Sequence, residues 1–237
     1  KILFRISSLA RSIEDWKNTI DVIEQHTTES NFSGRLRREY GLALLKSTPS
    51  VEHSKFSKAK QMLEKSIQMN PNDADAFSIL GGWWKKKGDL DKALMYYEKA
   101  YIADPENSYA VGNYFILEIS HNKNYNIVRY SKPIFKLVIA KCEKQKETGV
   151  NVPWVYYDLG LFHLFLGNTL KSLNNYLLAI RYSNAAWMVK TTVNTIKLLN
   201  EFKEEIVGIE FVKKLLLLGL AYRFCDKQAL EELKDSD

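Results

Sequence analysis

The chain has 237 residues, with 34 Lys and Arg against 28 Asp and Glu, a net charge of +6 and a pI near 9.1. No stretch of eighteen apolar residues is present, so no bilayer-crossing helix is expected. Cys142 and Cys225 stand far apart with no metal-ligand or redox spacing, and a reducing, cytoplasmic location is the expectation. The first residue is Lys1 instead of Met, which predicts a fragment of a longer protein or a processed product.

In residues 1–30, Leu9, Ile13, Trp16, Ile20 and Ile23 recur in steps of four and three. That spacing predicts an amphipathic helix with one buried face. Residues 31–73 are read as a helix pair: one helix from Arg35 to Lys46, a second carrying Phe56, Ala59, Met62, Leu63 and Ile67, a long loop between them from Ser47 to Ser54 with Pro49, and a stop at Asn70 and Pro71. In residues 74–107 the pattern is sharpest. Phe77, Leu80 and Trp84 lie on one helical face, Gly88 ends that helix, Asp89 caps the next by accepting orphan N–H groups, and Ala93, Tyr97 and Ala100 form its inner stripe before Pro105 stops it. Gly81, Ala93 and Ala100 are small where two antiparallel helices approach closely. Trp83 and Trp84 point about 100° apart and so belong to different seams. Residues 108–152 give Ser108 to Ser120 and a long helix from Tyr125 to Lys146. Residues 153–186 repeat the constellation 79 positions on: Tyr156, Leu159, Gly160, His163, Gly167, Ser172, Tyr176 and Ala179, with Asn168 at the position of the Asp89 cap. Here His163 replaces an aromatic, Ser172 an Ala, and Asn184 the closing Pro. Residues 187–237 are read as a last pair, Ala186 to Leu199 and Phe202 to Phe224, with a polar, fraying end at Glu231 to Asp237.

The aromatic, Leu-Gly, aromatic, Ala, aromatic, Ala and Pro order of Phe77, Leu80, Gly81, Trp84, Ala93, Tyr97, Ala100 and Pro105 resembles the tetratricopeptide repeat (TPR). The resemblance implies an all-α, right-handed superhelical array of antiparallel helix pairs. It also implies that the first helices of successive pairs line a concave groove where a peptide or protein surface binds. On that register the groove positions are Ser78, Lys85, Lys86, Tyr109, Asn113, Trp154, Tyr157, Asp158, Leu161 and Phe165, a surface basic at one end and aromatic at the other. Aromatic anchors in a concave surface concentrate binding energy. The competing reading has Trp154 and Phe165 packed on the long preceding helix or on a missing part of the chain. Of the residues that make the family's clamp for a chaperone C-terminus only Asn113 is present, so recognition of a terminal carboxylate by that clamp is not expected.

No catalytic centre is expected. The chain has no GxxxxGK, GxSxG, HExxH or CxxC motif, and its four histidines, His26, His53, His121 and His163, are dispersed. His163, on a buried face, is read as a packed core residue standing in for an aromatic. No cofactor or metal is expected. The basic clusters Arg35, Arg37 and Arg38, Lys85 to Lys87, and Lys141, Lys144 and Lys146 are interspersed with acids such as Glu143 and Glu147, as on solvated helix faces. The expectation is a protein-interaction scaffold that binds a protein or peptide partner, with no nucleic acid and no membrane. Self-association through the array ends, or contact with other domains of a longer parent, fits the same pattern. Alternative readings are a sensor or regulatory arm of a larger signalling or defence protein, and an RNA-binding helical array.

Overall fold

The computed structural model describes residues 3, 5, 15–48 and 50–234, and among these the ordered elements are all helical, with no strand. The chain divides into two compact units, residues 1–111 and 112–237.

The first unit begins with α1 (Trp16–His26), whose Asp15 cap accepts from the Asn18 N–H and whose Thr19, Ile20 and Ile23 are buried. Leu9 and Ile13 of the expected amphipathic helix lie outside the described residues. Next comes the antiparallel pair α2 (Gly34–Ser47) and α3 (Ser54–Met69). Close packing needs a small residue at the crossing: a Cβ on Gly41 would come within 2.8 Å of Leu63 Cγ. Ser66 Oγ fastens the other end by donating to the Gly34 carbonyl at 2.8 Å.

The pair α4 (Ala74–Lys87) and α5 (Leu90–Ala103) follows the same plan. Gly88 ends α4 in the left-handed region at φ 92°, a conformation open to Gly because it lacks Cβ. Asp89 then caps α5 by accepting from the Lys92 N–H at 3.0 Å. Leu80, Ala93, Tyr97 and Ala100 are fully buried between the two helices. The two tryptophans part as expected, but Trp83 is the more buried: it stacks on Phe56 at 4.4 Å and donates its indole N–H to the Phe56 carbonyl at 2.8 Å, joining α4 to α3. Trp84 is half-buried, with Lys92 Nζ 4.3 Å from its ring centre.

Helix α6 (Ser108–Ser120) crosses the division between the units. In the second unit the expected long helix from Tyr125 to Lys146 is two helices, α7 (Asn126–Tyr130) and α8 (Lys132–Glu147). Ser131 (φ −98°, ψ 8°) leaves helical geometry and Pro133, without an N–H, starts the second helix instead of continuing the first. The pair α9 (Trp154–Phe165) and α10 (Thr169–Tyr182) repeats the α4/α5 crossing. Gly160 faces the Tyr176 ring as Gly81 faces Tyr97, and Ser172 Oγ donates to the Gly160 carbonyl at 2.7 Å. Asn168 does not cap α10; its amide lies 3.5 Å from His163 Nδ1.

The last pair is α11 (Ala186–Leu199) and α12 (Ile209–Arg223). The second of these starts seven residues later than the sequence suggests, because a 3-10 turn at Asn200–Phe202 and Gly208 at φ 93° reverse the chain first. The end expected to fray is partly ordered: α13 (Lys227–Lys234) packs Ala229 inward, and Lys190–Asp226 (2.6 Å) and Lys197–Glu232 (2.7 Å) ion pairs hold the segment along α11.

Candidate functional site

In the first unit the groove positions are largely engaged within the protein. Ser78 is buried and its hydroxyl has no hydrogen-bond partner. Lys86 donates to the Thr48 carbonyl at 2.8 Å, satisfying the loop after α2 in place of an acidic partner. Lys85 is half-buried, and desolvation pushes its pKa down. Tyr109 is exposed and its ring meets Tyr97 edge-on at 6.1 Å.

Beside these positions lies a polar network the sequence did not announce. Arg38 on α2 binds Asp73 in a fork at 2.8 and 3.0 Å, reaches Asp75 at 3.3 Å and Glu39 at 3.3 Å, while Asn107 donates to Asp75 at 3.1 Å. Burial opposes the Arg38 charge, but Asp75 and Asp73 outweigh it and hold the pKa above its ordinary value. A cleft of about 300 Å³ between α1, α2 and α3 is lined by Glu24, Glu29, Arg37, Tyr40, Lys58 and Lys65 among others, and most of its charges are paired: Arg37 with Glu29, Lys58 with Glu24, and the Tyr40 hydroxyl with Glu24.

In the second unit, three expected groove residues are core residues. Tyr157 is 5%, Leu161 8% and Phe165 3% exposed. Phe165 packs on Phe135 of α8 at 5.4 Å, and Leu161 sits against Gly112 of α6, where a side chain would begin to crowd it. The expectation of an open aromatic groove fails at Leu161 and Phe165 because α6 and α8 cover them, and at Tyr157 because it turns to Tyr176 and Ser183 instead; the packing alternative is the correct one for Phe165. The Tyr157 hydroxyl donates to Ser183 Oγ at 2.8 Å, which in turn donates to the Ala179 carbonyl at 2.8 Å. Burial pushes the Tyr157 pKa up to about 12, so the phenol keeps its proton. Asn113 and Asp158 are half-buried.

Trp154 is the exception. Half-buried at the start of α9, it lies 5.6 Å from Trp187 at the start of α11 and 5.5 Å from Tyr157. Trp187 is 43% exposed. Among the described residues no cluster of three His, Cys, Asp or Glu side chains is placed to hold a metal, and no helix is long and apolar enough to cross a membrane.

Comparison with known proteins matches this geometry. A family model described as Tetratricopeptide Repeats-Sensor matches residues 10–118. The solved structure of Pseudomonas aeruginosa pilF shares the fold, with a TM-score of 0.54 at 12% identity over 100% of this chain and 96% of that one. Residues 10–118 thus match a tetratricopeptide-repeat family model, and the chain folds as a TPR-like array of helix pairs. The antiviral innate immune response effector IFIT1 of Macaca fascicularis is 34% identical over 70 residues, 29% of this chain. That match spans 15% of the length of IFIT1. The C-terminal part of a TPR repeat-containing protein from Cytophaga hutchinsonii aligns over 97% of this chain and 99% of that one at 15% identity, with a TM-score of 0.41.

With the TPR register fixed, residues missed at first become visible. The stripe Trp154, Asp158, Leu161 and Phe165 on α9 recurs 33 residues later as Trp187, Thr191, Asn194 and Leu198 on α11, and this second copy is exposed throughout. The signal was present in the sequence: the two tryptophans lie 33 residues apart, one short of the 34-residue TPR period. What it lacked was the knowledge that α6 and α8 bury the first copy and leave the second open.

Proposed function

We propose that the chain is a protein-interaction scaffold, and that its second unit takes a peptide or protein surface on the first-helix stripe formed by Trp187, Thr191, Asn194 and Leu198, with Trp154 beside it. The observation that carries this reading is the Trp154–Trp187 pair. Two large rings at equivalent positions of neighbouring first helices, one of them nearly half exposed, form a rigid apolar anchor next to hydrogen-bonding side chains. Tryptophan in a partly desolvated site is a frequent hot spot, while the exposed Thr191 and Asn194 supply the orienting polar contacts. The stripe needs no proton transfer, metal or cofactor; recognition is by shape and apolar contact.

The test is selection of binders from a displayed random-peptide library on the immobilised 237-residue chain, followed by titration of the enriched peptide against wild type and Trp187→Ala. The expected result is an affinity loss of at least about tenfold with the far-UV circular dichroism spectrum unchanged. Enriched peptides that bind the variant equally well would remove the stripe from consideration.

A second reading, that the repeats form the sensor arm of a larger protein, draws support from the Tetratricopeptide Repeats-Sensor match, which covers almost the whole of the first unit. In that case the peptide-binding stripe of the second unit relays occupancy to a linked domain. Limited proteolysis with and without the selected peptide separates the readings: a sensor arm changes its cleavage pattern away from the stripe, a passive scaffold only at it.

A further inference from the structure

The opposite side of the second unit carries a second apolar surface. On α12, Phe211, Leu215, Leu218 and Tyr222 follow one another in steps of four, three and four, away from the face that holds Val212, Leu216 and Leu220 in the core. Phe211 is 66% and Tyr222 74% exposed, Leu218 is exposed and Leu215 half-buried. The neighbouring α10 lies parallel to α12, since Thr169 meets Gly208 at one end and Ile180 meets Gly219 eleven residues further along both. It adds exposed Leu170 and Leu177, and Val207, whose carbonyl accepts from Thr169 Oγ1, extends the patch at its start. The outward side of α3 in the first unit has a different character: Ser57, Gln61, Lys65 and Gln68 are exposed there. On α5, Met95 and Ile102 are exposed but the exposed Glu98 lies between them, so an unbroken apolar stripe is a feature of α12. A contiguous apolar patch of this kind marks an interaction surface.

We infer that this face binds a second copy of the chain, with the two α12 helices antiparallel about a twofold axis that passes between Leu215 and Leu218. Two features select this occupant. Steps of four and three over α12 are the spacing of a helix–helix seam, and a twofold at that point sets Phe211 of each copy opposite Tyr222 of the other and Leu215 opposite Leu218, so the stripe is its own complement. The charges at the two ends of the patch are also opposed. Exposed Arg181 and Arg223 lie at its C-terminal end, while exposed Glu204 and Glu205, which outnumber Lys203, precede Val207 at its N-terminal end. An antiparallel pair brings the acidic end of each copy to the basic end of the other; a parallel pair would oppose like charges. The surface is separate from the Trp154–Trp187 stripe, so its occupation leaves the proposed peptide site open.

The test is sedimentation velocity of the 237-residue chain over a concentration series, checked by light scattering. The expected particle has twice the 27.4 kDa chain mass, and Phe211→Ser with Tyr222→Ser returns it to the monomer with an unchanged far-UV circular dichroism spectrum. Arg181→Glu alone weakens the dimer by at least about threefold. Glu204→Lys with Glu205→Lys weakens it further, because both ends are then basic, whereas Arg181→Glu only neutralises one. Arg223 is left intact because it also donates to the Ser183 carbonyl at 3.1 Å. A wild type that stays monomeric throughout the series overturns the inference and leaves the face to a different partner. So does a dimer that survives the Ser substitutions, or one that the Glu204→Lys, Glu205→Lys pair leaves as tight as the wild type. Peptide binding by the monomeric Ser variant separates this question from that of the groove.

Discussion

Gly160→Ala tests the closeness of the α9/α10 crossing. An added Cβ would lie 2.8 Å from Tyr176 Cε2 and Cζ and 2.9 Å from Cδ2, below any ordinary carbon–carbon contact. Tyr176 is 1% exposed, and Ser172 ties its helix to the Gly160 carbonyl, so neither ring nor backbone has room to retreat. Overpacking of this kind costs about 1–3 kcal/mol. Against it stands the helix preference for Ala over Gly, about 0.8–1.0 kcal/mol in a helix interior. The steric term wins, and the net expectation is a loss of up to about 2 kcal/mol. The two effects are separated in a double-mutant cycle with Tyr176→Leu, followed by urea unfolding at constant m-value with detection by circular dichroism. In the Tyr176→Leu background the clash is absent and Gly160→Ala is expected to stabilise by roughly the propensity difference, giving a coupling of about 1–3 kcal/mol. If Gly160→Ala stabilises the wild type by the full propensity difference, the reasoning about the crossing is wrong.

Three further outcomes are expected. Phe165→Ala should cost about 3–5 kcal/mol in urea unfolding, since it is wedged against Phe135, whereas Trp187→Ala should cost less than about 1.5 kcal/mol, the scale of one exposed ring–ring contact; similar losses for both would contradict their different placement. Arg38→Ala leaves Asp73 buried without its cation and should cost about 3–5 kcal/mol; a loss below about 1 kcal/mol would show that the network contributes no net stability. Burial, reinforced by Lys171, holds His163 below its ordinary pKa of 6.5, so the unfolded chain takes up this proton first. The stability contributed by neutral His163 is complete above pH 6.5 and is lost as pH falls through the folded value. His163→Phe should therefore melt with a flatter pH dependence between about pH 7.5 and pH 5, and identical slopes for variant and wild type would refute this.

The repeat was legible in the chain because its marks are local. Gly81 and Gly160, Tyr97 and Tyr176, and the glycine at Gly88 each answer a constraint set by the immediate helix crossing or helix end, so their spacing alone gives an all-α array and places most helices within a residue or two. Local marks also misled where a second local force intervened. Pro133 divided a helix that periodicity joined, and Gly208 delayed the start of α12. Which stripe of a first helix meets solvent was only partly legible: Trp154, Asp158, Leu161 and Phe165 match Trp187, Thr191, Asn194 and Leu198 in spacing and at three of four positions in type, and polar Asn194 in place of Leu161 is the one local sign that the second stripe is open. Burial there is decided by elements remote in sequence: Gly112 on α6 admits Leu161 and Phe135 on α8 covers Phe165, while among the described residues no such cover lies over the α11 stripe. The sequence by itself thus determined the pairs and their crossings, which depend on contacts between neighbours along the chain. Only the tertiary structure decided which apolar faces are core and which are surface, because exposure depends on what other helices bring to the same place.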